Sequence, residues 1–322
     1  MIEANAAIEV MGLTKRYGPP QSGILAVDHV DFHVRQGEVF GFLGPNGAGK
    51  TTTVRMLTGV IDPTAGTATV RGHDIRRESL AAREHLGIVP EQANVYLDLT
   101  VWQNVILMAE LHGVGRRERT REGRRLLALL GLDDRRNDRA RALSKGLRQR
   151  LMLCTALVSR PEMLFLDEPT TGLDVHSTHV IRTIIRDLNR QGLTVFLTTH
   201  NMDEAEELCQ RVAIIDHGRI AAIDTPDRLR ARVKASHYVS VRFDGALPGE
   251  AALRTLPGVD RLVRTGQTYR LFGEQTGQVA VAVAALAQRD GAAVLELCTH
   301  TPSLEEVFLH LTGGPNGEAD NG

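Results

Sequence analysis

Residues Gly44 to Thr51 read GPNGAGKT and satisfy the pattern G-x-x-x-x-G-K-[ST] at every position. In such a loop, backbone N–H groups surround phosphate oxygens at the start of a helix, whose dipole favours anions. Lys50 adds a positive charge, and Thr51 offers a hydroxyl to Mg²⁺. An apolar segment at 38–43 and a helical pattern after the loop supply the context that the motif needs. The loop therefore predicts binding of a nucleoside triphosphate rather than an ordinary glycine-rich turn.

An acid pair follows a second apolar segment, in the string MLFLDEPTTGLD. Asp167 and Glu168 come directly after the strand pattern at 163–166, where α/β folds present their ligand-binding edge. Asp167 suits coordination of Mg²⁺ through a water molecule, and Glu168 could polarise the water that attacks a γ-phosphate. A solvated pair of acids at the end of a strand is the alternative.

A histidine ends the next apolar strand pattern, TVFLTTH. His200 could donate a hydrogen bond to the γ-phosphate or position the attacking water. A purely structural role at the strand end is the alternative, and the position after the acid pair favours a functional one.

The string LSKGLRQR precedes a helical pattern at 151–158. Ser144 is a good N-cap residue, and Gly146 permits close backbone approach. The start of this helix is therefore a candidate anion site. The signal is weak in isolation, because most capped helices bind nothing.

The composition is that of an ordinary globular chain, and 322 residues predict two domains. A formal net charge of −1 supplies no general attraction to nucleic acid or anionic membranes and by itself names no partner. Arginines crowd residues 116–141, which raises a nucleic-acid or anionic-lipid hypothesis, but the interleaved acids are equally typical of an exposed helix face, and no nucleic-acid partner is expected. Cys154, Cys209 and Cys298 lie far apart and match no metal-ligand spacing, as in a reducing compartment. No apolar run approaches the roughly 18 residues that span a bilayer, and no signal-peptide pattern is present. We expect a cytoplasmic location.

The apolar periodicity predicts an α/β fold. Alternating segments within 8–34 predict an antiparallel β region before the phosphate loop. Strand patterns at 163–166, 194–198 and 212–215, separated by helical patterns, predict a mostly parallel sheet. The expected divisions are a nucleotide-binding domain at 1–234 with an inserted helical subdomain at about 93–160, an α+β module at 235–312 and a disordered tail at 313–322. Within the module, the patterns predict strands at 237–243, 268–272 and 293–298 and helices at 279–287 and 303–311.

Taken in order, these motifs resemble the nucleotide-binding subunit of an ABC transporter, over roughly residues 8 to 225. The resemblance implies a P-loop NTPase fold and ATP hydrolysis by Glu168 and His200. It implies that Tyr17, in LTKRYG, stacks on adenine. It implies ATP contacts from the loop residues Gly44, Pro45, Asn46, Gly47, Ala48, Gly49, Lys50, Thr51 and Thr52. Mg²⁺ would be the second cofactor, with Thr51 and Asp167 beside it, and Asp174 in TGLD would belong to the D-loop.

The resemblance also implies that two chains share each site. Ser144, Lys145 and Gly146 would face the γ-phosphate held by the other protomer, so that a homodimer is expected. The family signature is usually LSGGQ, whereas Lys145 replaces a glycine and Leu147 replaces the glutamine here. Lys145 could bring positive charge near phosphate or crowd the close approach that glycine permits. Ser144 and Gly146 remain, so we expect ATPase activity to be retained.

A further departure lies in IVPEQANVY. The position of the family's Q-loop glutamine is occupied by Glu91, and Gln92 follows one place later. Either side chain has an oxygen that could reach Mg²⁺, and the sequence leaves both open. A loop that mainly contacts a partner subunit is the alternative.

The string TPSLEEVFLHLTG, Thr301 to Gly313, resembles the end of ATPases that serve ABC-2-type exporters of the daunorubicin-resistance group. The resemblance implies a separate ABC-2-type membrane permease as partner and a peripheral position on the inner face of the cell membrane. Physically, this string predicts a short amphipathic helix that could pack on its own module or on a second protomer.

Two other function classes compete with a transport ATPase. A non-transport ABC ATPase acting on ribosomes or DNA would usually carry two cassettes or long coiled coils, and the chain has one cassette and no sustained heptads. A P-loop kinase or GTPase would account for Gly44 to Thr51 but not for Ser144, the acid pair and His200 in this order. The sequence therefore favours the transport ATPase.

Overall fold

The computed structural model describes residues 6–19, 21–92, 94–233, 237–244 and 249–312. The chain divides into two compact units, Met1–Thr225 and Pro226–Gly322. We expected the first domain to extend to residue 234. The helix that begins at Pro226 belongs to the second unit and contacts its final helix, and the boundary at residue 234 stays a prediction. The tail predicted at 313–322 lies outside the described residues.

Two sheets form the first unit. The antiparallel sheet has the order β2-β1-β4-β5, with β1 Ala6–Tyr17, β2 Ile24–Arg35, β4 Ala65–Val70 and β5 His73–Asp74. The second sheet has the order β10-β9-β3-β8-β7-β6, with β3 Val39–Leu43, β6 Leu86–Val89, β7 Met163–Asp167, β8 Thr194–Thr199, β9 Arg211–Asp216 and β10 Arg219–Asp224. The antiparallel β region before the phosphate loop is thus confirmed.

The second sheet is parallel except at β10, which pairs antiparallel with β9 at the edge. Every residue of β3, β7 and β8 is buried, because central strands of a parallel sheet are covered on both faces. The expected mostly parallel sheet is confirmed. Since neighbouring parallel strands end on the same side, their carboxyl ends meet at one edge.

An aromatic cluster joins the two sheets. Phe32 of β2 stacks on Phe40 of β3, with ring centres 5.6 Å apart and planes 6° from parallel. Phe42 and Phe196 lie 5.5 and 6.1 Å from the Phe32 ring, within the range of stabilising aromatic pairs. One core therefore holds the face of the phosphate-loop strand β3 that carries Phe40 and Phe42 against the antiparallel sheet.

The helices of the first unit are α1 Lys50–Leu57, α2 Ser79–Glu84, α3 Val101–Leu111, α4 Arg116–Leu129, α5 Lys145–Leu157, α6 Val175–Arg190 and α7 Met202–Leu208. Helices α3, α4 and α5 contact one another between β6 and β7, where we predicted helices. Thr100 and Gln103 form a capping box at the start of α3. In the described part of the chain, no helix combines the length and the apolar character needed to cross a bilayer.

The second unit has a β-α-β-β-α-β core, the arrangement of ferredoxin-like domains. Its elements are α8 Pro226–Ala231, β11 Tyr238–Asp244, α9 Glu250–Arg254, β12 Arg261–Thr265, β13 Thr268–Phe272, α10 Thr276–Asp290, β14 Ala293–His300 and α11 Leu304–Leu311. The four antiparallel strands have the order β12-β13-β11-β14. Val241, Leu271 and Val283 belong to its core. We did not predict α9 or β12; β12 buries only Leu262, so it lacks an alternating pattern.

Candidate functional site

The parallel register brings three sequence motifs to one edge of the sheet. Leu43 pairs with Thr199, and Asp167 pairs with Thr198. The phosphate loop, Glu168 and His200 each follow directly after one of these strand ends. Together they line a cavity of about 320 Å³. The phosphate loop and the start of α1 contribute Asn46, Gly47, Gly49, Lys50, Thr51 and Thr52, and Glu91 and Thr171 complete this part of the lining.

The phosphate loop is shaped by glycine at the start of α1. Gly49 has φ +106°, and a Cβ added there would lie 2.4 Å from the carbonyl oxygen of Ala26. A residue with a side chain would therefore strain the loop and collide with the backbone that supports it. The loop passes into α1 at Lys50, so the helix N-terminus faces the cavity.

Lys50 is 6 % exposed, and its ammonium contacts three oxygens. It donates hydrogen bonds to the carbonyls of Gly44 at 2.7 Å and Pro45 at 3.1 Å. Its Nζ also lies 3.2 Å from Oε1 of Glu168. Because Lys50 is tethered at the cavity wall, its charge is available to a phosphate group that enters.

Thr51 and Asp167 lie side by side, as a magnesium site requires. The hydroxyl of Thr51 donates to Oδ1 of Asp167 at 3.3 Å, and the Thr198 hydroxyl donates to the same oxygen. Among the described residues, no group of three or more His, Cys, Asp or Glu side chains could hold a metal by itself. Magnesium commonly takes one or two protein oxygens and completes its shell with substrate phosphates and water. The pair therefore fits Mg²⁺ bound together with a nucleotide.

Glu168 has an unusual backbone and a nearly buried carboxylate. Its φ is +53°, in the left-handed region that glycine favours, and its N–H donates to the Thr198 carbonyl at 3.1 Å. Oε2 accepts from the Thr171 hydroxyl at 3.0 Å. Oε1 faces Lys50 as an ion pair and accepts no hydrogen bond from the described residues. One carboxylate oxygen is thus held by a hydrogen bond, and the other is paired with Lys50.

The second contact to Oε2 comes from His200, whose Nδ1 lies 2.7 Å away. A hydrogen bond from this ring to a carboxylate oxygen requires the proton on Nδ1, and Nε2 is then left for another partner. The His200 side chain is 47 % exposed and lines the cavity, so it can reach both Glu168 and a ligand.

The loop after Glu168 has a buried anchor that the sequence analysis missed. Glu204 of α7 is fully buried, and its Oε1 accepts a hydrogen bond from the Thr170 hydroxyl at 2.8 Å. Burial raises the pKa of Glu204. The Asn201-x-x-Glu204 spacing indicates a helix start, which the structure shows, but no local signal points Glu204 toward Thr170.

The Q-loop candidates differ in position. Both side chains are exposed; Glu91 lines the cavity, whereas Gln92 is not part of the lining that the described residues form. Tyr17 also lies outside this lining, at the end of β1, with 40 % of its surface exposed. Lys15 Nζ lies 5.3 Å from the centre of the Tyr17 ring. The adenine contact of Tyr17 stays a prediction.

The signature segment lies at the start of α5, outside the cavity of its own chain. Ser144 is the N-cap, as predicted, and accepts a hydrogen bond from the Leu147 N–H at 3.3 Å. Gly146 packs against α6: a Cβ added there would lie 2.3 Å from Oγ of Ser177. Lys145 donates to the Thr171 carbonyl at 2.8 Å. The described residues that line the cavity include none of Ser144, Lys145 and Gly146.

Asp174, the D-loop candidate, is the N-cap of α6. Its carboxylate accepts hydrogen bonds from the N–H of Ser177 at 2.8 Å and from the Ser177 hydroxyl at 2.9 Å. These two hydrogen bonds, the backbone one first, lower the pKa of Asp174. The loop that begins at Glu168 therefore ends in a well-formed helix cap.

Comparison with known proteins agrees with this geometry. A profile of the ABC transporter family matches residues 27–171. The chain is 37 % identical to "Nod factor export ATP-binding protein I" of Rhizobium sp. (strain N33), over 96 % of this chain and 98 % of the relative. It is 38 % identical to "Daunorubicin resistance ATP-binding protein DrrA3" of Streptomyces coeruleorubidus, over 96 % of this chain and 97 % of the relative.

A solved structure gives the same result for the fold. The dimeric ATP-binding cassette MJ0796, bound to ADP and Pi, superposes with a TM-score of 0.62 and 26 % identity, over 68 % of this chain and 98 % of the cassette. With more than a third of residues identical to curated relatives over nearly the full length of both chains, the protein belongs to the ABC transporter family as an ATP-binding subunit that hydrolyses ATP.

Proposed function

We propose that this chain is the ATPase of an exporter and drives a separate ABC-2-type membrane permease. Membership of the ABC transporter family shows that the chain is an ATPase. Two relatives that match over nearly their whole length are named for Nod factor export and daunorubicin resistance. These names favour transport over action on ribosomes or nucleic acid. Because the two names refer to different compounds, the proposal concerns export and assigns no particular cargo. The chain would act at the inner face of the cell membrane through its permease.

In the proposed mechanism two copies pair head to tail. The Ser144 turn of each copy would close on the triphosphate that the partner's phosphate loop holds. The support is that Ser144 and Lys145 are exposed and lie outside the cavity of their own chain. ATP that binds more tightly to the closed dimer would shift the population toward closure, and hydrolysis would reverse it.

The chemistry would centre on Glu168. We assign to its Oε1 the role of general base for the attacking water, with His200 holding Oε2 and contacting the γ-phosphate. Lys50 would neutralise charge on the phosphates. Mg²⁺ would lie beside Thr51 and Asp167, with Glu91 rather than Gln92 facing it, and would supply charge stabilisation to the phosphates when bound. Tyr17 would stack on adenine, and Asp174 would stand at the dimer contact.

The observation that carries the proposal is the Glu168 carboxylate at the wall of the phosphate-loop cavity, held on Oε2 by His200 and paired on Oε1 with the phosphate-loop lysine Lys50. Glu168→Gln keeps the shape of the side chain and removes the base. We expect ATP binding to persist, turnover to fall at least a hundredfold and a stable dimer to accumulate with ATP and Mg²⁺.

Steady-state ATPase assays and light scattering of the purified chain measure these outcomes. Lys50→Ala serves as the contrasting variant, because it should lose ATP binding and dimerisation together. Turnover in Glu168→Gln equal to that of the unmodified chain would refute the assigned base. Stimulation of ATPase activity by nucleic acid, and not by a co-purifying membrane protein, would refute the transport assignment.

A further inference from the structure

Lys145 occupies a position where a cation is electrostatically unfavourable. It is the first residue of α5, directly after the N-cap Ser144, and the positive end of a helix dipole repels a cation there. Although the Lys145 side chain is exposed, its Nζ donates a hydrogen bond to the carbonyl of Thr171, which lies 26 residues away in sequence. The ammonium also lies over Gly172, where an added Cβ would come within 2.4 Å of Nζ.

Thr171 connects this contact to the acid of the site. Its carbonyl accepts from Lys145, and its hydroxyl donates to Oε2 of Glu168 at 3.0 Å. Its N–H also donates to the Glu168 carbonyl at 3.2 Å, which closes a tight turn. A single residue thus joins the start of α5 to the carboxylate that faces the phosphate loop.

The turn needs such support because its first residue is strained. Glu168 has φ +53°, a conformation that costs free energy in a residue with a side chain and persists only when its surroundings hold it. Glu204 holds the turn at Thr170 from one side, and Lys145 holds it at Thr171 from the other. A hydrogen bond from an ammonium is among the stronger ones available to a carbonyl.

We propose that Lys145 is a positioning residue for Glu168, acting through Thr171. It ties the segment expected to close on the partner's nucleotide to the acid of its own chain, so that a shift at the start of α5 moves Glu168. This inference rests on the proposed function, in which Glu168 is the base. It gives the lysine in the signature a role within its own chain instead of at the partner's phosphate.

The test compares ATP hydrolysis by the 322-residue chain and by four variants. Lys145→Met removes the charge and keeps the length, and Lys145→Arg keeps a donor. Thr171→Val removes the hydroxyl and keeps the carbonyl, and the fourth variant combines Lys145→Met with Thr171→Val. Arg117→Met is the matched control, since it removes an exposed positive charge from α4.

We expect Lys145→Met to lower kcat roughly tenfold or more, with KM for ATP within about twofold, because displacement of a catalytic group affects turnover more than binding. Lys145→Arg should restore at least about half of kcat. The double variant should be no slower than Thr171→Val alone, since both changes break the same connection. Arg117→Met should leave kcat and Tm unchanged.

Three results would overturn the inference. A raised KM with unchanged kcat in Lys145→Met would place the ammonium at the partner's phosphate. Additive losses in the double variant would show that Lys145 acts independently of Thr171. If Lys145→Met lowers Tm but leaves kcat per folded molecule unchanged, the contact between Lys145 and Thr171 only stabilises the fold. Glu168→Gln, measured in parallel, separates the two proposals: if it keeps full turnover, the proposed function fails, and if it loses turnover while Lys145→Met does not, only this inference fails.

Discussion

Nδ1 of His200 lies 2.7 Å from Oε2 of Glu168, and the two residues follow the ends of adjacent parallel strands, β8 and β7. The imidazole fixes one carboxylate oxygen and leaves the other directed at Lys50. Under the proposed function, this contact orients the carboxylate that would act as the base.

His200→Ala should therefore impair turnover more than binding. Without the ring, Glu168 loses a charge-assisted partner and the triphosphate loses a possible donor, so we expect kcat to fall by about a hundredfold and the Kd for ATP to change by less than about threefold. His112→Ala, at the exposed end of α3, is the matched control. Equal kcat values for the two variants in a steady-state assay would contradict the role of His200.

Gly146→Ala should destabilise the chain by roughly 1–3 kcal/mol, as overpacking of a tight contact does. The added methyl group would lie 2.3 Å from Oγ and 2.8 Å from Cβ of Ser177, so α5 and α6 would have to separate. Urea unfolding of Gly146→Ala, Ser177→Gly and the double variant measures the effect. Ser177→Gly loses the hydroxyl contact with Asp174 and keeps the backbone N–H contact, and it should make the alanine nearly harmless. If the two losses simply add, the steric explanation is wrong.

Glu204→Gln should stabilise the chain near neutral pH. Burial raises the pKa of folded Glu204, so its contribution to stability is present below the unfolded pKa of about 4.3 and is lost as the pH rises through the folded value. Glutamine avoids this loss and can still accept from Thr170. In thermal unfolding from pH 4 to 8, the Tm advantage of the variant should grow with pH.

Glu207→Gln is the control of opposite sign, one turn further along α7. Burial raises the pKa of Glu207, but hydrogen bonds from Arg186 and Arg182 outweigh it, and the pKa is lowered overall. Its stabilisation is present above the unfolded pKa and is lost as the pH falls through the folded value. This variant should therefore be less stable than the unmodified chain at neutral pH, with a difference that shrinks in acid. If Glu204→Gln and Glu207→Gln change Tm at neutral pH in the same direction, the pKa shifts of these two residues do not govern the pH dependence of stability.

The three thiols should differ in reactivity. Cys154 and Cys209 are buried, and burial raises the pKa of both, which disfavours the reactive thiolate. Cys298 is partly exposed. We expect one rapidly reacting thiol per native chain with a disulfide reagent and three after unfolding in guanidinium. Cys298→Ser should abolish the rapid phase, and rapid labelling that survives this change would show that a buried thiol becomes accessible in the native chain.

Much of the candidate site at the carboxyl edge of the parallel sheet could be predicted, because the sequence patterns that mark its residues are local. The phosphate loop, the acid pair and His200 each follow an apolar run that becomes a buried strand, and parallel pairing then places all three together. The N-cap at Ser144 was predictable for the same reason, since capping is decided within one turn of helix. Short or one-sided elements such as β12 carried too little pattern to be predicted.

Residue types and spacing alone thus determined that this chain has a phosphate loop, an acid pair and a histidine, each directly after a strand, because each motif needs only its own strand or helix to form. The tertiary structure alone decided that Glu91 rather than Gln92 lines the cavity. It alone also decided that Lys145 and Glu204 hold the turn after Glu168, through contacts with Thr171 and Thr170 that span 26 and 34 residues. Such contacts depend on how separate helices pack against one sheet edge, and no local pattern encodes that packing.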